Sequence, residues 1–337
     1  MPTLRDEMIL EFNPANLADC AQRLKNDDLV AVPTETVYGL AGNSLSEAAV
    51  RKIFSVKGRP LIDPLICHFF SAADAFAHVF ENPSAEQLAA AFWPGPLTLV
   101  LPKRSTIPDL VTAGLPSAAI RVPAHSALRE LLKHLDFPLA APSANPFGYV
   151  SPTRPEHVYQ TLGNKIAAIL DGGACQHGIE STIIDLRDVK APRILRPGPI
   201  PAETIADVLR MPVRPHSEHT SSENTGQSAP GMLSRHYSPK AKIKLRAFGQ
   251  ITEKEIFSFS EPRAALILSS KPRAIAQIPN HVFWLSEAPN MDEVAQNLFH
   301  LIQSCDAQGY EQLIVEQSPN DGIGLAINDR LQRAAAE

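Results

Sequence analysis

The feature that most constrains the fold is a rhythm of short β-type runs, each five to seven residues long, separated by helical segments and by Pro/Gly turns. In the first two thirds of the chain the runs are LVAVP (29–33), LICHF (65–69), LTLVLP (97–102), AAIRVP (118–123), PLAAPS (138–143), AAILD (167–171), STIIDL (181–186) and RILRP (193–197). Helical periodicity lies between them: Leu17, Cys20, Ala21 and Leu24 mark one apolar stripe, and Leu128, Leu131, Leu132 and Leu135 mark another. Strands mixed with helices, some joined by short turns, predict an α/β domain on a twisted mixed sheet and argue against a sandwich.

The rhythm stops at residues 212–240. Within it HSEHTSSENTGQSA (216–229) has almost nothing apolar to bury, which predicts a mobile linker. The pattern then restarts as KIKLRAF (242–248), RAALILS (263–269), HVFWLS (281–286) and QLIVEQ (312–317), with a helix carrying Val294, Leu298, Leu301 and Ile302 and a last helix from about Leu325. The expected organisation is a domain over 1–211, a linker over 212–240 and a small Rossmann-like domain over 241–337. No glycine-rich turn directly follows a strand in the second domain, so no nucleotide site is expected there.

Composition narrows the function classes. A net charge of −5, with no long Lys/Arg run, argues against stable duplex binding. The four cysteines (Cys20, Cys67, Cys175, Cys305) are far apart and form no Cys-x-x-Cys pair, as expected of reduced core thiols. MPTLRDEMILEF lacks the layout of a signal peptide, and no apolar run approaches the ~20 residues that cross a bilayer, so a cytosolic protein without membrane partners is expected.

Against that acidic background, several strand ends carry cations or hydroxyls beside Gly or Pro, where α/β proteins tend to place ligands. They are PTETVYGL (33–40), KGRPLIDPLICH (57–68), Arg121 in AAIRVP, APSAN (141–145) with Ser151 in SPT, HGIESTIID (177–185), and Arg196 in LRPG (195–198). Taken singly, each has an ordinary structural explanation, since turn hydroxyls bond their own backbone and His68 alternates with apolar neighbours. Lys57 and Arg59, two apart, project from one side if their segment is extended. Lys57, Arg59, Arg121 and Arg196 converging on one cleft would suit a polyanion such as a nucleoside triphosphate. No Walker-type GxxxxGK[ST] is present, so phosphates would be held by Arg, Lys and hydroxyls.

This ordered set of motifs resembles the YrdC-type threonylcarbamoyl-AMP synthases. PGMLSRHYSPK (230–240) resembles that family's linker motif and GIGLAINDRLQRAA (322–335) the end of its extra C-terminal domain, so the resemblance spans nearly the whole chain in the long two-domain form. It implies a concave cavity holding threonine, bicarbonate and ATP. It also implies the nucleotidyl-transfer reaction that forms threonylcarbamoyl-adenylate and pyrophosphate, for threonylcarbamoyl-adenosine at position 37 of tRNAs reading ANN codons. By matching positions, Thr34, His68, Arg121, Ala141 (through its backbone) and Ser181 would contact threonine. Arg59, Asp63, Ser117, Ser143, Ser151, Arg196, Arg235 and Tyr237 would contact ATP. Lys57 and Arg59 would be catalytic, holding the carboxylated intermediate and the α-phosphate. Magnesium would accompany ATP, with no tightly bound organic cofactor and no resident protein metal site. A downstream threonylcarbamoyl transferase complex would take the product, and tRNA would bind at most transiently.

The sequence departs from the family pattern at three positions. Ile62-Asp63 stands where Asp-Asn is usual, which puts the Asp63 contact in question unless it faces magnesium; Ser117 replaces a Thr; and Leu233 replaces a Lys. No residue stands out as a general base. The alternative reading is a catalytically inert RNA-binding module on the same fold, which the acidic charge and 6% aromatic content disfavour. A carbamoyl-transfer enzyme for hydrogenase maturation would need zinc-finger-like cysteine motifs that this sequence lacks.

Overall fold

The computed structural model describes residues 7–215, 236–272 and 278–336. The expected linker stretch 216–229, Leu233 and Arg235 lie outside the described residues. Ten strands form one mixed sheet: β1 (Ile9–Glu11), β2 (Val30–Val32), β3 (Gly39–Asn43), β4 (Ile66–His68), β5 (Leu97–Pro102), β6 (Ser117–Arg121), β7 (Leu139–Ala140), β8 (Ala168–Asp171), β9 (Thr182–Asp185) and β10 (Arg193–Arg196). Their spatial order is β1-β8-β2-β3-β7-β4-β6-β5-β9-β10. The pairs β2–β3, β3–β7, β7–β4, β6–β5 and β9–β10 are antiparallel, while β1–β8, β8–β2, β4–β6 and β5–β9 are parallel.

Two strands escape the sequence reading. Ile9–Glu11 is short and partly exposed, so it has little pattern to read. Gly39–Asn43 is GLAGN, with glycines at positions where a strand usually carries β-branched residues. It pairs on both sides, and Gly39 lies so close to Ala141 that an added Cβ would sit 3.1 Å from that side chain.

Helices α1 (Pro14–Lys25), α2 (Glu47–Lys57), α3 (Ala72–Phe76), α4 (Pro83–Phe92), α5 (Ser126–Lys133), α6 (Pro155–Leu162) and α7 (Ala202–Leu209) cover this sheet. The side chains of Asn13 and Ser46 cap α1 and α2 by accepting from the third backbone N–H beyond them. The stripe Leu17, Cys20, Ala21, Leu24 packs with Leu128, Leu131 and Leu132 in one apolar cluster, as the periodicity predicts.

The second sheet is fully parallel: β11 (Lys242–Arg246), β14 (Gln312–Glu316), β12 (Ala264–Ser270) and β13 (Val282–Ser286), in that order. Helices α8 (Glu253–Ser258), α9 (Met291–Ala307) and α10 (Gly322–Ala335) accompany it. Helix α9 presses against the first domain. Gly178 has φ +72°, and a Cβ there would lie 2.4 Å from the Gln296 backbone, so both the left-handed conformation and the close approach require glycine. Val37, Val150 and Ile179 of the first domain share one buried cluster with Tyr237, Val294, Leu298 and Phe299. Polar contacts reinforce the seam: Gln303 Nε2 donates to Ser151 O at 2.9 Å, and Tyr149 Oη donates to Asp306 Oδ2 at 2.7 Å.

Candidate active site

The period-two alternation of the central strands separates the core face of the large sheet from the site face. Cys67, Leu99, Ile120 and Ile184 point into the main core, whereas Ile66, Val100, Ala119, Ile183 and Leu195 form a small cluster on the other face. His68 stands two residues from Ile66, Arg121 two from Ala119, and Ser181 two from Ile183, so they share that second face. Arg196 joins them through an irregularity. Ile194 pairs with Ile184 but Arg196 pairs with Ile183, so the register slips by one residue. A regular strand would put Arg196 on the Ile194 side, in the core; the bulge re-aims it into the cavity.

The resulting cavity is lined by Thr34, Arg59, His68, Arg121, Ala141, Ser143, Ser181, Arg196 and Tyr237, all singled out from sequence, together with Thr36, Val37, Gly39, Ile66, Pro142, Glu180 and His236. With His236 and Tyr237 in its lining the cavity measures about 50 Å³.

Three arginines are held in the same manner. Arg59 donates from Nε to Asp63 O (3.0 Å) and from Nη2 to Pro64 O (2.8 Å), and its Nη2 forms an ion pair with Asp63 Oδ1 at 2.9 Å. Arg121 donates from Nε to Gly95 O (3.2 Å) and from Nη2 to Glu35 Oε1 (2.6 Å) and Thr36 Oγ1 (3.1 Å). Arg196 donates from Nε to Ser181 O and from Nη2 to Ser181 Oγ, both at 3.1 Å. In each case Nη1 has no hydrogen-bond partner among the described residues. Guanidinium forks clamped on one edge and open on the other are preorganised for anionic oxygens.

The hydroxyls are arranged by their own turns. Thr34 Oγ1 accepts from the Thr36 and Val37 amides at 3.0 and 3.1 Å, which folds PTETV into a cup directly after β2. Ser181 Oγ lies 2.8 Å from Thr98 Oγ1. His68 is neutral: burial, aided by Arg121, pushes its imidazole down to about 3, and its Nδ1 has no hydrogen-bond partner among the described residues.

Several expected site residues stand behind the wall. Lys57 is the last residue of α2, and Gly58 terminates the helix at φ 63°, so Lys57 and Arg59 do not form a clamp on an extended segment. Lys57 Nζ donates to Ser143 O and Asn145 O, both at 2.5 Å, and so pins the APSAN loop from below. Burial, and then Arg59, lower its ammonium well below the usual lysine range. Asp63 is fully buried and turned to Arg59. Ser151 is also fully buried, with Oγ donating to Glu180 Oε1 at 2.5 Å, so Glu180 meets the cavity in its place. Ser117 opens β6 outside the lining, and its Oγ has no partner among the described residues. Tyr237 is buried, packs on Phe299 at 5.5 Å between ring centroids, and leaves its hydroxyl without a partner among the described residues.

Two buried carboxylates escaped the sequence reading. Burial alone would raise the Glu35 carboxyl, but the Arg121 ion pair at 2.6 Å holds it below the usual range, and the Ala124 amide donates to its other oxygen at 3.0 Å. Glu180 is likewise opposed by burial but is held down at about 2 by Arg330 and Arg196. A glutamate within PTET or GIES gives no periodic signal of burial; only the long-range partner reveals it.

Known proteins agree with this architecture. Residues 22–198 match the family model described as "Telomere recombination", and residues 200–336 match the model of the threonylcarbamoyl-AMP synthase C-terminal domain. A threonylcarbamoyl-AMP synthase of Pyrococcus abyssi is 40% identical over 93% of this chain and 92% of its own length. That of Bacillus subtilis is 36% identical over 97% and 94% respectively. The crystal structure of P. abyssi Sua5 complexed with L-threonine superposes with a TM-score of 0.87 at 38% identity, covering 97% of both chains. Matched end to end in both domains, the chain belongs to the threonylcarbamoyl-AMP synthase family, in its two-domain form.

Proposed function

We propose that this protein condenses L-threonine, bicarbonate and ATP into threonylcarbamoyl-adenylate and pyrophosphate. The observation that carries this reading is one cavity containing three arginines with uncommitted Nη1 groups beside the Thr34 and Ser181 hydroxyls. In this reading Arg121 takes threonine's carboxylate, and Thr34, His68, Ser181 and the Ala141 backbone surround its amine and hydroxyl. A polar contact to that hydroxyl rejects valine more sharply than an apolar pocket would. Threonine's amine, once deprotonated, attacks the bicarbonate-derived carbon, and water leaves to give a carbamate. A carbamate oxygen then attacks the α-phosphate of ATP and pyrophosphate departs.

Both reactants in the second step are anionic, so countercharge and positioning carry the catalysis. Arg59 and Arg196 supply the charge at the wall. Lys57, catalytic by family analogy, acts here through the Ser143–Asn145 loop that it holds. Magnesium, if carried in by the triphosphate, would supply countercharge for the leaving pyrophosphate beside Arg59 and Arg196. The buried carboxylates Glu35, Asp63 and Glu180 each pair with an arginine, and the described residues contain no group of three metal-ligating side chains. The cavity, about 50 Å³, is smaller than the several hundred Å³ of a nucleotide site, so in this reading the lining residues His236 and Tyr237 shift to admit ATP. Threonylcarbamoyl transfer to tRNA would follow on a separate complex.

The test is mass spectrometry of a reaction containing ATP, threonine, bicarbonate and magnesium, with pyrophosphate measured in parallel. The product mass, with pyrophosphate release requiring both threonine and bicarbonate, is the expected result. Release independent of either overturns the reading, and the absence of any turnover returns the fold to a binding role.

A further inference from the structure

We infer that Arg330, from the C-terminal domain, is a positioning residue for the nucleotide: by engaging Glu180 it keeps that carboxylate off Arg196 and leaves Arg196 free for phosphate. The inference rests on the ATP-binding role proposed above and gives the second domain a part in it.

Arg330 lies on α10 and is fully buried. Its Nε donates to Glu180 Oε2 at 2.7 Å, Nη2 to Pro197 O at 3.0 Å and Nη1 to Asp329 Oδ2 at 2.6 Å. The guanidinium also sits 5.3 Å from the Tyr237 ring centroid. A C-terminal side chain therefore reaches GIES, LRPG and Tyr237 of the cavity lining.

The charge pattern explains why this contact matters. Arg59 and Arg121 already pair with Asp63 and Glu35. Arg196 is the cavity arginine with no ion pair among the described residues, although Glu180 lines the same cavity and each feels the other's charge. A buried carboxylate stripped of its partner does not remain alone; it takes another cation or a proton. Without Arg330, Glu180 still interacts with Arg196 and Lys57, of which Arg196 shares the cavity lining with it while Lys57 is held by Ser143 O and Asn145 O. That swap would cancel the charge offered to phosphate. Because binding linkage is reciprocal, nucleotide would in turn favour the docked C-terminal domain.

The experiment measures binding of a non-hydrolysable ATP analogue with magnesium, and of threonine, to the full-length chain by calorimetry. Arg330→Met should weaken the analogue about tenfold or more, the worth of one charge-assisted contact, and threonine by less than about threefold. Adding Glu180→Gln to Arg330→Met should bring analogue affinity back to within about threefold of wild type, because no carboxylate remains to capture Arg196. A scaffold contact would not show that rescue. If Arg330→Met alone fails to fold, the double variant, which leaves neither Glu180 nor Asp329 as an unpaired carboxylate, carries the comparison. Unchanged analogue affinity in Arg330→Met, or a double variant that stays about tenfold weak, overturns the inference. A wild type that binds the analogue without threonine-dependent pyrophosphate release sinks the proposed activity alone; one that binds no nucleotide sinks both.

Discussion

Mild acid should destabilise this protein through histidines that the fold keeps neutral. His68, His157 and His236 are each shifted by burial from the ordinary 6.5 down to about 3. His157 shows the cause in its contacts. Its Nδ1 accepts from the Thr153 amide at 3.2 Å, so its proton sits on Nε2 and faces His300 Nδ1 at 3.1 Å. Protonating Nδ1 would forfeit that acceptor. Between pH 6.5 and 3 the unfolded chain binds a proton at each of these sites and the native chain does not, so stability falls as pH falls through that window. From pH 7.5 to 5.5 each histidine loses about 1.4 kcal/mol, roughly 4 kcal/mol for the set. His125, His177 and His300, also lowered by burial, act in the same direction. For a domain of this size, roughly 2–4 °C per kcal/mol makes the expected fall in Tm on the order of 10 °C. Scanning calorimetry of the ligand-free protein in matched-ionic-strength buffers measures it. A Tm constant within about 2 °C would refute the claim that these imidazoles are held neutral in the native state.

Other outcomes follow from the site. Glu35→Gln should raise KM for threonine about tenfold while leaving KM for ATP nearly unchanged, since Arg121 loses its charged anchor but keeps Gly95 and Thr36; steady-state kinetics in each substrate separates the two. Lys57→Met should cost both stability and turnover, the latter about 10²-fold or more, because the Ser143–Asn145 loop loses its only described ammonium clamp; retained turnover per folded molecule would make Lys57 purely structural. Chelating magnesium should stop pyrophosphate release while threonine binding persists, and added Mg²⁺ should restore it. Tyr237→Phe should keep the fold, as the hydroxyl is buried without a partner among the described residues, and should lower product yield partway if that hydroxyl meets the nucleotide.

The sequence by itself determined the strands with β-branched runs and the apolar stripes of α1, α5 and α9, because burial on one face imposes a period that can be read locally. It also placed Thr34, His68, Arg121, Ser181 and Arg196 at strand ends, where a site belongs. It did not disclose β3, whose glycines are there for close packing against Ala141. Nor did it show that Lys57 is helical and buried, because a KGRP motif reads as a turn until Gly58 is seen as a left-handed helix cap. Tertiary structure alone decided which face Arg196 presents, since one residue of register at a bulge exchanges core for cavity. It alone decided the partner of each buried charge. Glu35 and Arg121 lie 86 residues apart, and Glu180 and Arg330 lie 150 apart. Such pairs leave no periodic trace along the chain, because the energy that keeps them is the cost of burying either charge without the other.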